Sequence, residues 1–319
     1  MSESKISNQK SKMSKGVHRF ALLVAGATFF LIIAGANVTS HDAGLAVPDW
    51  PLSFGKLFPQ MVGNVFWEHG HRMIAATVGF LTIVLAIYLQ LRERRSWVRK
   101  LGWAALGLVI LQGLLGGLTV KLLLPLAVSA AHATLAQLFF LTTVSIAVFT
   151  SERWVNAQSA AGLESNSGSL RTLCVASLAV ILVQLVLGAT LRHSATWDQP
   201  LPTGLLVAHI TGAVLVTLSL GVTAASILLR HRDEKFLTRP AITALALLFV
   251  QLMLGLAAYV TRAASPNDPQ PLNPMIAVTV AHVACGALVF AATIVLTLRV
   301  FRVLRVERQP ADVGVLAAA

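Results

Sequence analysis

Hydrophobic residues in this chain form eight long blocks that polar residues hardly interrupt. The blocks lie at 20–40, 72–91, 101–120, 126–149, 173–191, 205–229, 241–260 and 276–298. About 20 apolar residues in a helix cross the hydrocarbon core of a bilayer, whereas strands of a transmembrane barrel alternate apolar and polar residues with a period of two. The unbroken blocks therefore predict an all-α polytopic membrane protein with eight transmembrane helices.

The composition supports this prediction and leaves one alternative for the first block. The chain is 56% hydrophobic and only 12% charged, with a mean hydropathy of +0.74, which is far from an average soluble domain. The basic tail, the apolar block and Ala34-Gly35-Ala36 are also typical of a cleavable signal peptide. Cleavage would destroy an internal repeat to which the block belongs, so we expect the block to be retained.

Most of the 25 Lys and Arg residues lie on one predicted side of the membrane. They cluster in the N-terminal tail, in the connections after the second, fourth and sixth blocks, and in the C-terminal tail. Positive loops stay on the cytoplasmic side, so both termini are predicted to be cytoplasmic. The net charge of +12 then reflects topology and contact with anionic lipid headgroups. No basic module with aromatic residues indicates a nucleic-acid partner.

A fourfold internal repeat organises the chain. Three of the blocks contain a glutamine four residues before a glycine, in QGLLG, QLVLG and QLMLG, and the first block has the degenerate version LIIAG. Each element is followed by a loop and by a helix with a histidine among small residues. These histidines are His71, His132, His209 and His282. Such a repeat indicates four related helical hairpins.

The long polar segment between the fourth and fifth blocks divides the hairpins two and two. We therefore predict two pseudo-symmetric four-helix bundles. The predicted boundaries are a cytoplasmic tail at 1–19, an N-terminal half at 20–150, a cytoplasmic linker at 151–172, a C-terminal half at 173–299 and a cytoplasmic tail at 300–319. The later histidines lie roughly two turns inside the extracytoplasmic helix ends, which places one ligand plane near the outer surface in each half.

The repeated histidines are candidate metal ligands. A single histidine in a membrane helix is usually a hydrogen-bonded packing residue, but four at equivalent places favour a ligand role. The small residues beside each histidine lie near the same helix face and leave room for a flat ligand. Two histidines on either side of a planar macrocycle satisfy six-coordinate haem iron. Zinc or copper would need clustered ligands that the sequence lacks, so haem is the favoured ligand.

Basic residues follow the glutamine–glycine element in the three later hairpins. Lys121, Arg192 and Arg262 occupy these positions. Arg and Lys pair well with carboxylates, so these residues are candidate partners of haem propionates. The alternative is that their long side chains only reach the membrane interface.

The first of the four hairpins alone places a carboxylate beside its histidine. On a helix Glu68, His71 and Arg72 share a face, and His69 points about 100° away from Glu68. His71 rather than His69 has small residues before it and four positions after it, as the repeat requires. Glu68 is therefore a candidate proton-transfer group, with Arg72 as a candidate propionate partner. The alternative is an ion pair between Glu68 and Arg72 that only neutralises both charges. His69 is expected at the interface or behind the ligand.

Several motifs resemble heme A synthase, the membrane enzyme of cytochrome oxidase assembly. They are GLAVPDWPLSFG and FWEHGHRMIA in the first hairpin and AHATLAQ, VAHITGA and VAHVACGAL in the later ones. The resemblance covers all eight blocks. It implies that His71 and His132 ligate the substrate haem O, and that Glu68 is the catalytic acid beside it. It likewise implies that His209 and His282 hold a retained haem b.

The resemblance also implies a reaction and its partners. The reaction is oxidation of a methyl group of farnesylated haem O to the formyl group of haem A, through a hydroxylated intermediate. Haem b in the other half would relay electrons, with a quinone or another carrier as acceptor. The implied partners are heme O synthase, the cytochrome oxidase assembly pathway and the lipid bilayer, and the implied location is the bacterial cytoplasmic membrane.

The cysteines depart from one version of the family pattern. Some members have a cysteine pair in the first extracytoplasmic loop, and the corresponding stretch here has none. The two cysteines of the chain, Cys174 and Cys285, are predicted to lie at opposite ends of the bundle, too far apart for a disulfide.

Two functions of other classes compete with this enzyme. A di-haem cytochrome b that only exchanges electrons with quinone fits the four histidines equally well, and Glu68 with the first-hairpin motifs favours the enzyme over it. A transporter built from repeats leaves the regular histidines without a role.

Overall fold

The computed structural model describes residues 3–157, 167–194, 201–264 and 271–304. In this part of the chain all regular elements are helices, apart from one isolated bridge in a loop. They are α1 Glu3–Ser40, α2 Asn64–Arg92, α3 Ser96–Lys121, α4 Leu126–Thr150, α5 Glu152–Val155, α6 Ser167–Ser194, α7 Thr203–Arg230, α8 Lys235–Ala263 and α9 Asn273–Val303.

Eight of these helices are long and apolar enough to cross a membrane. They match the eight predicted blocks, which confirms the all-α polytopic fold. The helices are longer than the blocks because polar residues at their ends continue the helical hydrogen bonding. Helix α2 shows this best: it begins at Asn64 rather than near residue 72, so that Glu68, His69 and His71 all lie in its first turns.

Helix packing follows two sets of neighbours. Helices α1 to α4 contact one another in sequence, and α4 closes back on α1; helices α6 to α9 do the same, with α9 closing back on α6. The two sets meet where α1 and α4 contact α9 and where α4 contacts α6. At this junction the small side chains of Ala287 and Ala291 pack against Ile32 and Phe140, as close helix approach in lipid requires. Internal symmetry between the two sets stays a prediction.

The predicted segment boundaries also stay a prediction. Helices cross or extend beyond these boundaries at three places. Helical backbone runs from Glu3 through the predicted tail at 1–19 into α1. The predicted linker at 151–172 contains α5 and the start of α6, and its residues 158–166 lie outside the described residues. Helix α9 continues to Val303, and residues 305–319 of the predicted tail at 300–319 lie outside the described residues as well.

Buried hydroxyl groups are satisfied within the helices. Thr28, Thr82 and Thr293 each donate to the carbonyl four residues earlier, at 2.7 to 2.8 Å. In a bilayer no water replaces a missing partner, so this local bonding makes threonine acceptable in a buried helix face.

The loop between α1 and α2 is a compact structure of its own. The Asp49 carboxylate accepts hydrogen bonds from the backbone N–H groups of Phe54 at 2.6 Å and Gly55 at 2.8 Å. Ser53 and Lys56 exchange two backbone hydrogen bonds of 3.0 Å. The N–H groups of Gly55 and Phe54 lower the pKa of Asp49, because they stabilise its charged form.

Candidate functional site

Each of the four repeated histidines packs its ring edge on a glycine of the preceding membrane helix. A Cβ atom added to that glycine would lie 2.9 to 3.1 Å from the histidine Cε1 atom, so the ring would have to shift to make room. The pairs are Gly35 with His71, Gly116 with His132, Gly188 with His209, and Gly255 with His282. The glycine of the sequence repeat is therefore needed to seat the imidazole of its own hairpin.

The glutamines of the repeat contact the same histidines. The amide of Gln112 donates to the His132 carbonyl at 3.1 Å, and its Nε2 lies 3.3 Å from the His132 Nε2. Gln184 donates to the carbonyl of His209 at 2.9 Å, with its Nε2 3.1 Å from the ring Nδ1. Sequence reasoning used these glutamines only to mark the repeat. Each glutamine lies one helical turn before the glycine, and this spacing in the sequence indicates that both residues lie on the same face of their helix.

Gln251 completes the pattern in the last hairpin, with its Nε2 at 3.3 Å from the His282 Nε2. The position equivalent to the glutamines in α1 is Leu31, so among the described residues His71 is the one repeated histidine without a glutamine partner. The small residue four positions after His282 is Gly286, and a Cβ atom there would lie 3.1 Å from the Gln251 Nε2. Some of the room that we expected for a flat ligand is therefore taken by a glutamine amide.

The histidines are arranged in pairs from neighbouring parts of the bundle. The ring centres of His209 and His282 are 6.4 Å apart, with the ring planes at 70°. His71 and His132 lie close enough to interact electrostatically. The Nδ1 atoms of His71, His132 and His282 are buried and have no hydrogen-bond partner among the described residues. Buried polar atoms are normally paired, so these rings are suited to an additional ligand.

The residues fit a haem group. An imidazole nitrogen binds a transition metal at about 2.0–2.1 Å, so two imidazoles that share one metal ion have their ring centres roughly 6 Å apart. The 6.4 Å separation of His209 and His282 matches this requirement. Each ring comes from a different helix, and the edge that carries its Cε1 atom packs on a glycine.

Glu68 lies in a buried polar cluster at the start of α2. Its carboxylate forms an ion pair with Arg72 and accepts a hydrogen bond of 2.7 Å from the Val47 N–H. Arg72 also donates to the carbonyls of Asp49 at 2.7 Å and Leu52 at 2.9 Å. The ion pair that the sequence offered as an alternative for Glu68 is thus present. Its further contacts with the loop were not predicted, because they join residues about 20 positions apart.

His69 and two tryptophans extend this attachment of the loop. The buried His69 ring is hydrogen-bonded through Nδ1 to the Ser53 Oγ at 2.8 Å, so His69 lies against the loop rather than at the open interface. The His41 ring stacks on Trp67 at 3.9 Å. Trp50 lies on α3, where a Cβ atom at Gly117 would come within 2.7 Å of its indole. Gly117 follows the glycine that seats His132, so the loop packs on α3 next to the first pair of histidines.

The three candidate propionate partners lie at one end of the bundle. Lys121 ends α3, and Arg192 and Arg262 are in the last turns of α6 and α8. Lys121 is exposed, and Arg192 donates to the Ser40 Oγ at 3.2 Å, which joins α6 to the end of α1. The Arg72 guanidinium donates to the loop carbonyls of Asp49 and Leu52. A role of any of these four residues in propionate binding stays a prediction.

The two cysteines are free and buried. Cys285 donates from its Sγ to the Leu247 carbonyl at 3.4 Å. The prediction that they form no disulfide is confirmed.

Comparison with known proteins gives consistent relatives. The family model of the cytochrome oxidase assembly protein family, COX15-CtaA, matches residues 18–197, more than half of the chain. A heme A synthase of Symbiobacterium thermophilum is 28% identical over 261 residues, which cover 76% of this chain and 85% of that protein. A heme A synthase of Caulobacter sp. is 32% identical over 141 residues, covering 40% of this chain and 41% of that protein.

A third heme A synthase, of Alkalihalophilus pseudofirmus, is 28% identical over 144 residues, covering 44% of this chain and 48% of that protein. The chain thus spans most of the first relative and less than half of the other two. The family match includes the first loop, Glu68 and the first two repeated histidines. The chain belongs to the COX15-CtaA family of cytochrome oxidase assembly proteins.

Proposed function

We propose that this chain is a heme A synthase: a haem-dependent membrane oxidoreductase of heme A biosynthesis that serves cytochrome oxidase assembly. Its reaction is oxidation of a methyl group of haem O to the formyl group of haem A, through a hydroxylated intermediate. Family membership and the heme A synthase relatives support the reaction class. The observation that carries the proposal in this chain is an asymmetry: of two similar histidine pairs, only one has a buried carboxylate one helical turn away, at Glu68.

The two histidine pairs have different roles in this proposal. His71 and His132 hold the substrate haem O in the N-terminal half, beside Glu68 and under the first loop. His209 and His282 hold a resident haem b in the C-terminal half, which the 6.4 Å separation of their rings supports. When bound, haem iron supplies the redox chemistry of the reaction.

The side chains around the first pair position the substrate and manage protons. Oxidation of a methyl group to a formyl group takes its oxygen from one water and releases four protons and four electrons to the carrier (CH₃ + H₂O → CHO + 4 H⁺ + 4 e⁻), so a proton-transfer group must stand close to the reacting carbon. Glu68 is that proton-transfer group in our proposal. The Val47 N–H and the Arg72 guanidinium stabilise its carboxylate, and they hold it at the start of α2. The loop is attached to the start of α2, beside this site, through Arg72 and His69.

Among the described residues, His71 lacks the glutamine contact that the other three repeated histidines have. Leu31 stands in that place on α1 and packs against the apolar core of the N-terminal half. A leucine gives the His71 side of the site an apolar wall, which suits a substrate with a farnesyl chain. This difference supports a site that accepts and releases its haem, in contrast to the second pair.

The cellular setting follows from the charge distribution and from the relatives. The chain is a multi-pass membrane protein, and we place it in a bacterial cytoplasmic membrane with both termini in the cytoplasm. Heme O synthase would supply the substrate. A quinone or another carrier would accept the electrons.

Pigment analysis of the purified protein tests this function against the di-haem cytochrome b. Haems extracted from the protein, made in cells that also make haem O, are separated by chromatography. We expect haem b together with haem O, the hydroxylated intermediate or haem A. A protein that contains haem b alone, at two haems per chain, would be an electron carrier and would refute the proposal.

A further inference from the structure

A cavity of about 630 Å³ lies at the end of the bundle opposite to the repeated histidines. Residues from α1, α4, α5, α8 and α9 line it, so it opens where the two sets of helices meet. On α1 the lining runs from Lys15 to Ala25, whereas Gly35, which seats His71, lies near the other end of the same helix. The cavity is therefore separate from the candidate haem sites.

The cavity has an apolar wall and a cationic rim. Its wall is made of aliphatic side chains, among them Leu22, Ala25, Val144, Val148 and Val295. The rim has four cations and one carboxylate. These are Lys15, Arg19, Arg153, Arg299 and Glu152. This end of the bundle carries the basic loops, so the rim lies at the level of the cytoplasmic headgroups in the topology that we propose.

The single carboxylate does not neutralise the rim. Glu152 pairs with Lys15 at 3.3 Å, and both side chains are about half exposed. Arg299 is held by the Phe236 carbonyl at 3.1 Å, and Arg153 lies close enough to it for like-charge repulsion. Among the side chains that the structure describes, neither Arg153 nor Arg19 has an ion-pair partner within 4.0 Å. Among the described residues, three positive charges thus line the opening without a matching anion.

We propose that this cavity binds an anionic phospholipid of the cytoplasmic leaflet, with its phosphate at the arginines of the rim and an acyl chain along the aliphatic wall. A phosphate group attracts clustered Arg side chains and accepts hydrogen bonds from them. The aliphatic wall is complementary to a long apolar group attached to that phosphate, and the cavity volume is far larger than a free phosphate needs. Trp154, at the rim in α5, is a residue type that favours the headgroup level.

The lipid would join the two sets of helices. Its phosphate contacts α1 and α5 on one side and α9 on the other, and its chain lies between α4 and α9. The arginines that repel one another at this junction would share one anion. Loss of the lipid should therefore weaken the junction between the sets without changing either pair of histidines.

Lipid retention by the purified full-length protein tests the proposal. The protein is exchanged into detergent with equal amounts of phosphatidylglycerol and phosphatidylcholine, and bound lipid is measured by native mass spectrometry. We expect retention of phosphatidylglycerol to exceed that of phosphatidylcholine by about tenfold or more, since each nearby cation adds to the attraction. The double variant Arg19→Gln/Arg153→Gln should lose this preference. The matched control Arg94→Gln/Arg232→Gln removes two exposed cations outside the cavity and should keep it.

Two further arms separate a lipid from other ligands. Val148→Trp narrows the apolar wall and keeps every charge, so it should also reduce phosphatidylglycerol retention, while circular dichroism shows that the helices persist. Inorganic phosphate at tens of millimolar should not displace the lipid. Equal retention of the two lipids, unchanged preference in the Arg19→Gln/Arg153→Gln variant, or displacement by inorganic phosphate would each overturn the proposal.

Discussion

The contact between Gly188 and His209 gives a prediction that the structure makes quantitative. In Gly188→Ala the new methyl group would lie 2.9 Å from the His209 Cε1 atom. Carbon atoms pack best at about 3.5–4.0 Å, so the ring must move by at least half an ångström. Overpacking of this kind costs about 1–3 kcal/mol. Alanine is also the better helix former, by roughly 1 kcal/mol, so the two effects have to be measured apart.

Gly221→Ala is the matched control, because Gly221 lies in α7 with His209 and a Cβ atom there would contact nothing within 4 Å. Both variants gain the helix propensity of alanine, and only Gly188→Ala moves the ring. We therefore expect Gly188→Ala to be less stable than Gly221→Ala by about 1–3 kcal/mol in thermal unfolding. We also expect it to contain less haem per chain, as measured by the pyridine haemochrome spectrum. Equal stability and equal haem content in the two variants would refute the idea that the glycine seats the histidine.

Three other predictions address the cofactor, the topology and the first loop. His209→Ala and His282→Ala should each lose the low-spin haem b signal. The control His231→Ala, at the other end of α7, should keep that signal. An unchanged signal in both His209→Ala and His282→Ala would exclude this pair as the haem ligands. A cysteine at Lys56 should react with an impermeant thiol reagent on intact cells, and a cysteine at Arg94 should react only after permeabilisation. Both positions are exposed, and the native cysteines are buried. The reverse labelling pattern would show the opposite topology. The pKa of Asp49 is lowered in the folded loop, so the contribution of this carboxylate to loop stability is complete above the usual aspartate pKa and is lost only as the pH falls through the lowered value. The Phe54 and Gly55 amides should therefore stay protected from hydrogen exchange at pH 4 in wild type but not in Asp49→Asn.

The membrane helices were predictable because the bilayer imposes their length and composition. The start of α2 was the exception. Its first turns contain Glu68, His69, His71 and Arg72, whose polarity hides the helix from a hydropathy pattern, and the structure begins the helix at Asn64. Loop atoms hydrogen-bond to Glu68, His69 and Arg72 in these turns, and no local sequence pattern reports such contacts.

The histidine pattern was predictable for a similar reason, and its contacts were not. The repeat marked His132 and Gly116 as equivalent to the residues of the other hairpins, since equal spacing is visible in the sequence. That the glycine seats the ring, and that Gln112 bonds to the same residue, depends on which faces of α3 and α4 meet. The same holds for the attachment of the loop through Arg72. These contacts are set by tertiary packing, which the order of residues in one helix does not specify.

One conversion assay tests directly whether Glu68 moves protons at a site where haem O becomes haem A. Membranes that contain wild type or Glu68→Gln, each with a source of haem O, are extracted, and haem O, the hydroxylated intermediate and haem A are separated by chromatography. Glutamine keeps the shape of the side chain and an oxygen that can accept from the Val47 N–H, so the protein should assemble with normal haem b. Glu93→Gln, which removes the partner of Arg95 at the other end of α2, is the matched control and should make haem A as wild type does. The account predicts that Glu68→Gln accumulates haem O or the intermediate and forms haem A about 10²–10⁴-fold more slowly; haem A formation near the wild-type rate would contradict it.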